Sequence, residues 1–391
     1  KKFPLGFKPY YPDGAYFEGP SYWFYATNYF ALSLSAFEST LGTDFDFINA
    51  EGIKKSAVFT EVTAGPSGDY YNFFDASLKG YRDMEHIGLL AWFSNRMGKN
   101  LLGDINNISE TKAWNKPKPH RLASLHAIFL AQMSRNLPEE VYPKAWLAKG
   151  NSPIGVLRPK DENGLYLAAK GGSADDNHSN MDAGSFILEW KKIRWSVDLG
   201  NQDYKTLEAI MGTGSLWNRA QDSERWNLLT KNNYGHSTLT VNNALYNAKA
   251  RSLVIASSLE AETPYFSFDL SPLFGKNTGQ VNRKFKQISD QKVQVIDEIQ
   301  INENTREIRW QMITTAKVKI QKDGALLSQK GASLGLGFKS NQEYEVKITN
   351  LDPPPLDYDK QIPGLKRLDF IIKPNLANGE KVNITVDFIG K

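Results

Sequence analysis

The sequence of 391 residues contains no cysteine and only five histidines. The lack of cysteine excludes disulfide bonds, thiolate metal sites and cysteine nucleophiles. No stretch approaches 18 consecutive apolar residues, so the sequence predicts no membrane span. The net charge is +4 and the basic residues are scattered, which is too weak a positive balance to indicate nucleic-acid binding. No GxGxxG segment or P-loop is present, which argues against a nucleotide-binding fold.

The residues that are present fit a globular protein with room for two domains, since 41% are hydrophobic and 23% are charged. Aromatic residues make up 12% of the chain. Sugars present flat C–H faces that stack on aromatic rings, so this content is compatible with carbohydrate binding. Composition alone favours the simpler interpretation, in which most of the rings fill the core.

The pattern of the chain changes near residue 150. Apolar residues recur at helical spacing over 21–41, 83–97 and 119–134, and the polar segment 101–118 is predicted to be a loop. Beyond a linker rich in proline and glycine, residues alternate with period two in short runs bounded by turn residues. These predicted strands are 165–169, 185–190, 237–241, 293–301, 308–314, 344–348, 368–372 and 382–388. Strands that follow helices, rather than alternate with them, predict an α+β protein with a large antiparallel β-sandwich.

Two segments combine polar groups that could carry chemistry. His178 lies in a polar loop, Asp175–Asn180, that runs into a predicted strand, whereas His86, His120 and His126 have surroundings typical of structural histidines. Tyr22 follows Glu18-Gly19-Pro20 in the first turn of the first predicted helix. Exposed N–H groups and the helix dipole at such a position favour an anion, so a phenol there could have a lowered pKa. The alternative is a packed aromatic residue.

These segments resemble the heparinase II/III-like polysaccharide lyases. The runs that carry the resemblance are PDGAYFEGPSYWFYATNY, GTDFDF, NHSNMDAGSF, RWSVDLGNQDY and YGHSTLTVNN, in this order over residues 10–245. The resemblance implies a multidomain α+β protein, with residues 1–150 as the C-terminal part of an (α/α) toroid and residues 151–391 as an antiparallel β-sandwich. The chain begins about twenty residues before the tyrosine motif. We therefore expect a C-terminal portion of a longer protein, or a natural truncation.

The resemblance also implies an activity, which is β-elimination on an anionic, uronic-acid-containing polysaccharide such as heparin, heparan sulfate or alginate. Elimination needs donors that neutralise the uronate carboxylate, a base and an acid. The family positions match Tyr22 as the acid, with Tyr25 one turn later as the fallback. His178 matches the histidine that acts as the partner base or helps to neutralise the carboxylate. Glu18 is expected to orient the site. Family members are mostly periplasmic or secreted bacterial proteins, which is the location we expect here, without a membrane span or a nucleic-acid partner.

The resemblance further implies one structural metal ion, usually zinc, and no organic cofactor. The matching ligand positions are Asn180, Asp198 and His236. Asn180 departs from the family's histidine, and an amide is a poor zinc ligand, so the sequence predicts a weakened zinc site or one for a harder cation. Its role would be to brace the loop that carries His178. Arg225 is a further candidate for binding an anionic sugar, against an ordinary ion pair.

Two other functions stay open from the sequence. A non-catalytic glycan-binding protein could keep an aromatic cleft without an acid and a base. A glycoside hydrolase on a similar helical toroid would need two carboxylates flanking the bond, and four acidic residues could be recruited: Asp13, Glu18, Asp176 and Asp182. The product distinguishes them, because only a lyase leaves an unsaturated uronate that absorbs in the near ultraviolet.

Overall fold

The structure, a computed structural model, describes residues 3–76, 84–103 and 121–390. The chain forms two compact units, a helical unit and a β unit. The helical unit comprises Lys1–Ala64, Gly68–Tyr70 and Ala76–Pro143, and the β unit comprises Gly65–Ser67, Tyr71–Asp75 and Lys144–Lys391. The main division after Pro143 precedes the predicted boundary at residue 150. The β unit also takes two short segments from the N-terminal part of the chain.

Four α-helices are described in the helical unit: α1 (Pro20–Leu41), α2 (Ser56–Thr63), α3 (Met84–Met97) and α4 (Ala123–Gln132). The prediction of α1 is confirmed, and the expected proline and glycine lie at its two ends. Pro20 is at its first position and Gly42 ends it with φ 72°, where the Gly42 N–H bonds the Glu38 carbonyl. Helix α2 was not predicted. Most of the predicted loop 101–118, the first residues of the two later predicted helices, and His120 lie outside the described residues.

Close approach of α3 and α4 depends on a glycine. A Cβ built on Gly88 would lie 2.4 Å from Cβ of His126, so only glycine fits there without displacing the facing helix. Nε2 of the buried His126 lies 2.7 Å from Oδ1 of Asn28, which links α4 to α1. This supports the structural role predicted for His126. The toroid itself stays a prediction, because an (α/α) toroid needs an inner and an outer ring of helices, and four described helices are too few to form them.

The β unit contains 17 strands in three antiparallel sheets. In chain order they are β1 (Ala145–Ala148), β2 (Ile154–Leu157), β3 (Tyr166–Lys170), β4 (Phe186–Trp190), β5 (Ile193–Ser196), β6 (Leu239–Val241), β7 (Leu253–Ser258), β8 (Tyr265–Asp269), β9 (Val281–Ser289), β10 (Lys292–Gln300), β11 (Ile308–Thr314), β12 (Lys317–Gln321), β13 (Gly324–Gln329), β14 (Ala332–Ser340), β15 (Glu345–Asn350), β16 (Lys366–Ile372) and β17 (Lys381–Gly390).

The three sheets differ in size and share one core. Their strand orders are β1-β2-β3-β4-β5, β12-β13-β14-β17-β10-β9-β8-β7 and β15-β16-β11-β6. Phe186 of the five-stranded sheet has its ring centroid 6.0 Å from Trp310 of the four-stranded sheet and 5.7 Å from Phe388 of the eight-stranded sheet. All three rings are buried, so the sheets pack on a common aromatic centre. Large antiparallel sheets, as predicted, therefore form the C-terminal part of the chain.

Short helices and long loops between strands carry the polar residues of interest. Helices α5 (Tyr204–Met211) and α6 (Thr213–Trp217) lie between β5 and β6, and α7 (Ser271–Phe274) lies between β8 and β9. None of these was predicted. No helix within the described ranges is long and apolar enough to cross a membrane.

Candidate functional site in the β unit

His178 lies in the loop between β3 and β4, in a backbone conformation that the loop enforces. Its φ is 53°, which is uncommon for a residue with a side chain and marks a constrained position. Arg251 donates two 2.7 Å hydrogen bonds to the Asp176 carboxylate, and the Ser179 N–H bonds the Asp176 carbonyl. Bidentate arginine–carboxylate pairs are geometrically specific, so the loop is held on both sides of His178.

Arg225 also holds this loop. It is 2% exposed, and its guanidinium donates to the backbone carbonyls of Leu216 (2.7 Å) and Ser179 (2.9 Å). Burial lowers the pKa of Arg225, and the carboxylate of Asp75 acts in the opposite direction. The prediction of a sugar-binding side chain required an accessible guanidinium. The structure instead buries this guanidinium, which bonds the backbone next to His178 and the backbone of α6.

The imidazole of His178 belongs to a hydrogen-bonded chain. Its Nδ1 lies 2.9 Å from the Tyr204 hydroxyl, and that hydroxyl donates a 2.7 Å bond to Oδ2 of Asp75. Oδ1 of Asp75 accepts a hydrogen bond from the ammonium of Lys231. Asp75 and Lys231 are fully buried, whereas the His178 side chain is 21% exposed. The series of hydrogen bonds therefore connects a buried ion pair to a partly exposed histidine.

The ion pair keeps Asp75 charged. Burial alone would raise the pKa of this carboxyl. The Lys231 ammonium, the His178 ring, whose Nδ1 lies 3.5 Å from Oδ2 of Asp75, and the hydrogen bonds from Lys231 and Tyr204 more than offset burial and hold the pKa well below its usual range. Burial lowers the pKa of Lys231, with the Asp75 carboxylate opposing. Each member of the pair is tolerated in the interior because the other neutralises it.

An ionised Asp75 determines which nitrogen of His178 carries the proton. A carboxylate only accepts hydrogen bonds, so the single hydroxyl hydrogen of Tyr204 points to Asp75. The phenol oxygen is then the acceptor for an N–H at Nδ1 of His178. In the neutral imidazole this places the lone pair on Nε2, which is the atom that can accept a proton. The arrangement therefore fixes His178 in the tautomer that a general base needs.

A second polar network holds the segment that carries Asp75. Glu189 of β4 accepts bonds from the backbone and side chain of Ser67, both 2.8 Å, and from Arg194. Arg194 in turn donates to Asn72, whose side chain donates to the Asp198 carbonyl. The network anchors both N-terminal segments of the β unit on the five-stranded sheet, and so places Asp75 beside the His178 loop.

Aromatic rings line one side of His178. The ring centroids of His178 and Trp217 are 5.8 Å apart, and those of Tyr204 and Trp217 are 4.9 Å apart. Tyr204 begins α5, where the Asp203 side chain accepts a bond from the Thr206 N–H and caps the helix. The cap and the edge-on contacts with Trp217 fix the phenol that His178 contacts.

A buried cluster of potential metal ligands lies next to the loop. Asp182, Asp198 and His236 each offer one ligand atom within 4.8 Å of the others. Nδ1 of His236 lies 2.8 Å from Oδ2 of Asp198, and the pKa of His236 is raised because this carboxylate outweighs the effect of burial. Nε2 of His236 and Oδ2 of Asp182 are buried and have no hydrogen-bond partner in the described structure. One nitrogen and carboxylate oxygens suit zinc or a harder divalent cation, so these residues fit a metal ion.

The third predicted metal ligand has other partners. Asn180 is 1% exposed, its amide N–H₂ bonds the Phe74 carbonyl, and its Oδ1 lies 3.5 Å from Arg225. Its oxygen is therefore turned towards a guanidinium, and Asp182 joins Asp198 and His236 instead. The buried Lys170 donates a 2.5 Å bond to Oδ1 of Asp182 and brings a positive charge that competes with a cation there.

The predicted residues of the helical unit lie at the start of α1. Gly19 precedes the helix with φ 89°, and Tyr22 is the third helical residue. Tyr22 and Glu18 are half-buried, and both raise the pKa of Tyr16, although burial is the larger cause. Tyr25 is 61% exposed and stacks edge-on against Tyr29. The structure thus places Tyr22 in the first helical turn, as the sequence predicted.

Comparison with known proteins identifies the family. The model of the heparinase II/III-like C-terminal domain matches residues 152–353, which is just over half of the chain. The chain belongs to the heparinase II/III-like family. No curated protein matches it.

Solved structures of heparinases share the fold. A heparinase III with methylated lysines has a TM-score of 0.68 at 15% identity, with 97% of this chain and 53% of that chain covered. A mutant heparan sulfate lyase from Pedobacter heparinus has a TM-score of 0.66 at 15% identity, with 99% and 55% covered. This member of the heparinase II/III-like family therefore spans about half the length of the structures it matches.

Proposed function

We propose that this protein is a polysaccharide lyase that cleaves a uronic-acid-containing glycan by β-elimination. The observation that carries the proposal is the chain from Lys231 through Asp75 and Tyr204 to His178, which holds a partly exposed imidazole with its lone pair on Nε2. A glycan-binding module does not need a histidine with a fixed tautomer. Membership of the heparinase II/III-like family supports the same reaction class.

In the proposed reaction His178 is the base. Its Nε2 takes the C5 proton of the uronate, the C4=C5 double bond forms, and the C4–O4 bond breaks. Proton removal leaves a positive imidazolium, which the Tyr204 oxygen stabilises because that phenol donates its own hydrogen to the ionised Asp75. Tyr204 and Asp75 are positioning residues in this scheme.

Tyr22 is the proposed acid. It protonates the departing O4 oxygen, so that the leaving sugar is released as a neutral alcohol. Its place in the first turn of α1, beside N–H groups that the helix does not use, would stabilise the phenolate that remains. Glu18, one residue before the capping glycine, is proposed to orient this turn, and Tyr25 is the fallback acid. The substrate is an anionic polysaccharide of the heparan sulfate or alginate type, and we propose a periplasmic or secreted location.

We further propose that Asp182, Asp198 and His236 hold one divalent metal ion. The ion would be structural, bracing the loop between β3 and β4 that carries His178. Zinc content by elemental analysis after dialysis against zinc tests this. Asp182→Asn should lower the bound zinc, whereas Asp203→Asn, which removes a carboxylate at the start of α5 outside the cluster, should not. Equal zinc in both variants would reject the site.

Product analysis by mass spectrometry tests the reaction and its residues together. Elimination gives a new non-reducing end that lacks one water relative to the product of hydrolysis. We expect such products from the unaltered protein and none from Tyr22→Phe or His178→Ala, with Tyr29→Phe, one turn further along α1 than Tyr25, as the control. Loss of activity in Tyr25→Phe but not in Tyr22→Phe would move the acid to Tyr25. Products that contain the extra water would overturn the proposal in favour of a hydrolase.

A further inference from the structure

A groove of about 600 Å³ opens on the β unit, and none of the residues that line it belongs to the hydrogen-bonded series from Lys231 to His178. Its floor is the face of the four-stranded sheet opposite the aromatic core. Side chains alternate along a strand, so Trp310 of β11 points into the core while its neighbour Arg309 lines the groove. Arg367 of β16 lines the same floor. The volume falls within the range of about 300–1,000 Å³ that is common for ligand sites.

The two arginines have donors to spare. Arg309 contacts one carboxylate, that of Glu307 at 3.1 Å, and its buried Nε has no hydrogen-bond acceptor within the described part of the chain. Arg367 donates from Nε to Asp369 at 2.7 Å and from Nη1 to the Tyr234 carbonyl at 3.2 Å. A guanidinium carries five N–H donors, so both can still bind a ligand oxygen. A buried donor without an acceptor points to a polar ligand rather than an apolar one.

Tyr234 lines the groove together with both arginines, and Nη1 of Arg367 donates to its backbone carbonyl at 3.2 Å. Burial raises the pKa of the Tyr234 phenol, and the charges of Arg309 and Arg367 oppose that rise. The Tyr234 hydroxyl donates to the Asn243 carbonyl at 2.8 Å, which fixes the half-buried ring in the wall of the groove. The two positive groups and the ring therefore face the same space.

The rest of the lining is rich in neutral hydrogen-bonding groups. Exposed amides come from Asn227 and Asn243, and a hydroxyl comes from Thr349, which pairs with Arg367 across β15 and β16. Apolar side chains supply the larger part of the lining, and they are Trp226, Leu229, Leu245, Leu351, Pro355 and Leu356. Apolar side chains, amides and a hydroxyl around a pair of arginines match a sugar residue, which has flat C–H faces, hydroxyls and one anionic group.

We propose that this groove is a second glycan-binding site, which holds one anionic sugar residue with its carboxylate or sulfate on Arg309 and Arg367. The choice of a glycan rests on the proposed function, and the site would keep a long polymer on the protein while His178 acts elsewhere on it. Bidentate arginine contacts supply the recognition of the anion, and the asparagine amides contact the hydroxyls.

Calorimetric titration with defined hexasaccharides tests the site in a Tyr22→Phe background, where the probe is not consumed. The probes are a heparan sulfate hexasaccharide, an alginate hexasaccharide and neutral cellohexaose. We expect two binding sites for at least one anionic probe and no groove binding of cellohexaose. Arg309→Gln should weaken one of the two sites roughly tenfold or more, as expected for a lost charged hydrogen bond.

Two further variants make the result decisive. Arg306→Gln removes the same charge from an exposed arginine that bonds its own turn outside the groove, and it should leave both sites unchanged. Asn227→Asp places a carboxylate on an exposed lining position without burying it, and it should weaken the same site as Arg309→Gln. If Arg309→Gln does not fold, Asn227→Asp decides alone. Identical binding in Asn227→Asp and Arg306→Gln, or preferred binding of cellohexaose, would overturn the proposal.

The two proposals can fail separately. If the unaltered protein yields no elimination product but a hexasaccharide still binds at a site that Arg309→Gln removes, the groove is supported as a glycan site and the lyase reaction is rejected. If elimination proceeds and every binding event is insensitive to Arg309→Gln and Asn227→Asp, the lyase reaction is supported and the groove is rejected as a glycan site.

Discussion

The phenol of Tyr204 connects the accessible histidine to the buried carboxylate. Tyr204→Phe removes the hydroxyl and leaves the ring that packs against Trp217. We expect kcat to fall roughly 10–100-fold, by analogy with the loss of a partner that orients a metal-bound histidine, with KM little changed. Nitrogen NMR of His178 should show a larger fraction of the tautomer with its proton on Nε2, because Nδ1 loses its acceptor at 2.9 Å and keeps only the Asp75 carboxylate, at 3.5 Å.

Tyr358→Phe is the matched control for that variant, since Tyr358 packs on the same small apolar cluster as Tyr204. Its kcat and the tautomer of His178 should be unchanged. An active Tyr204→Phe enzyme with an unaltered histidine spectrum would show that Tyr204 only fills space.

The ion pair of Asp75 and Lys231 predicts a stability effect. Asp75→Asn leaves the Lys231 ammonium buried without its partner, so the free energy of unfolding at neutral pH should fall by about 3–5 kcal/mol. The double variant Asp75→Asn/Lys231→Met removes both charges and should recover part of this loss. Urea denaturation of the three proteins gives the comparison. A double variant no more stable than Asp75→Asn would show that the buried charge is not the cause.

The same pair fixes the direction of the pH dependence. The pKa of Asp75 in the folded protein lies below its unfolded value of about 3.9, so its stabilising contribution is complete above that pH. The contribution is lost as the pH falls further, towards the folded pKa. The stability advantage over Asp75→Asn should therefore be constant from neutral pH to about pH 5 and shrink below pH 4. An advantage that grows on acidification would contradict the assignment.

The sequence could single out candidate residues where a local motif carried them. His178 and Tyr22 lie in such motifs, and so do Asp198 and His236. Asp75 does not, because its role depends on Lys231, which keeps it ionised from 156 residues away in the sequence, and no spacing rule relates the two. Tyr204 ends the motif RWSVDLGNQDY, but the sequence indicated no role for it, since only the folded protein shows that its hydroxyl contacts His178. The role of Arg225 depended on burial, which a loop sequence does not reveal.

At the scale of elements, the crossing of α3 and α4 gives a prediction about packing. Gly88→Ala places a methyl group against His126, and such overpacking costs about 1–3 kcal/mol. Hydrogen exchange of the α3 amides should therefore become faster. The control is Gly214→Ala in α6, where nothing lies within 4 Å of the added carbon and helix propensity gains up to about 1 kcal/mol. Unchanged exchange in α3 would show that the helices can separate without cost.

Helices with characteristic residues at their ends, and strands in which buried and exposed residues alternate, could be predicted. Helix α1 has a proline at its start and a glycine at its end, and β11 was predicted with its observed bounds. The strands β1, β2 and β5 have four residues each, which is too few for a period to show. Strand β2 is also buried on both faces, so its residues do not alternate. Helices α5 and α6 are short and owe their order to the cap at Asp203 and to contacts with the neighbouring loops.

At the scale of the molecule, the sequence predicted helices followed by antiparallel sheets, and the structure has this order. The return of residues 65–67 and 71–75 to the β unit was not predictable. It depends on Glu189 reaching Ser67 and on Gly65, where a Cβ would lie 2.3 Å from the Glu189 carboxylate. Ser67 and Glu189 are 122 positions apart, and their contact helps to bring Asp75 to His178.

The most direct test of the proposed function is near-ultraviolet absorbance while the whole protein is incubated with a panel of polyuronides, including heparan sulfate and alginate. A lyase produces an unsaturated uronate, so we predict a steady rise in absorbance on at least one of them, which names the substrate class at the same time. Release of reducing ends without any rise in absorbance would contradict the account and indicate hydrolysis.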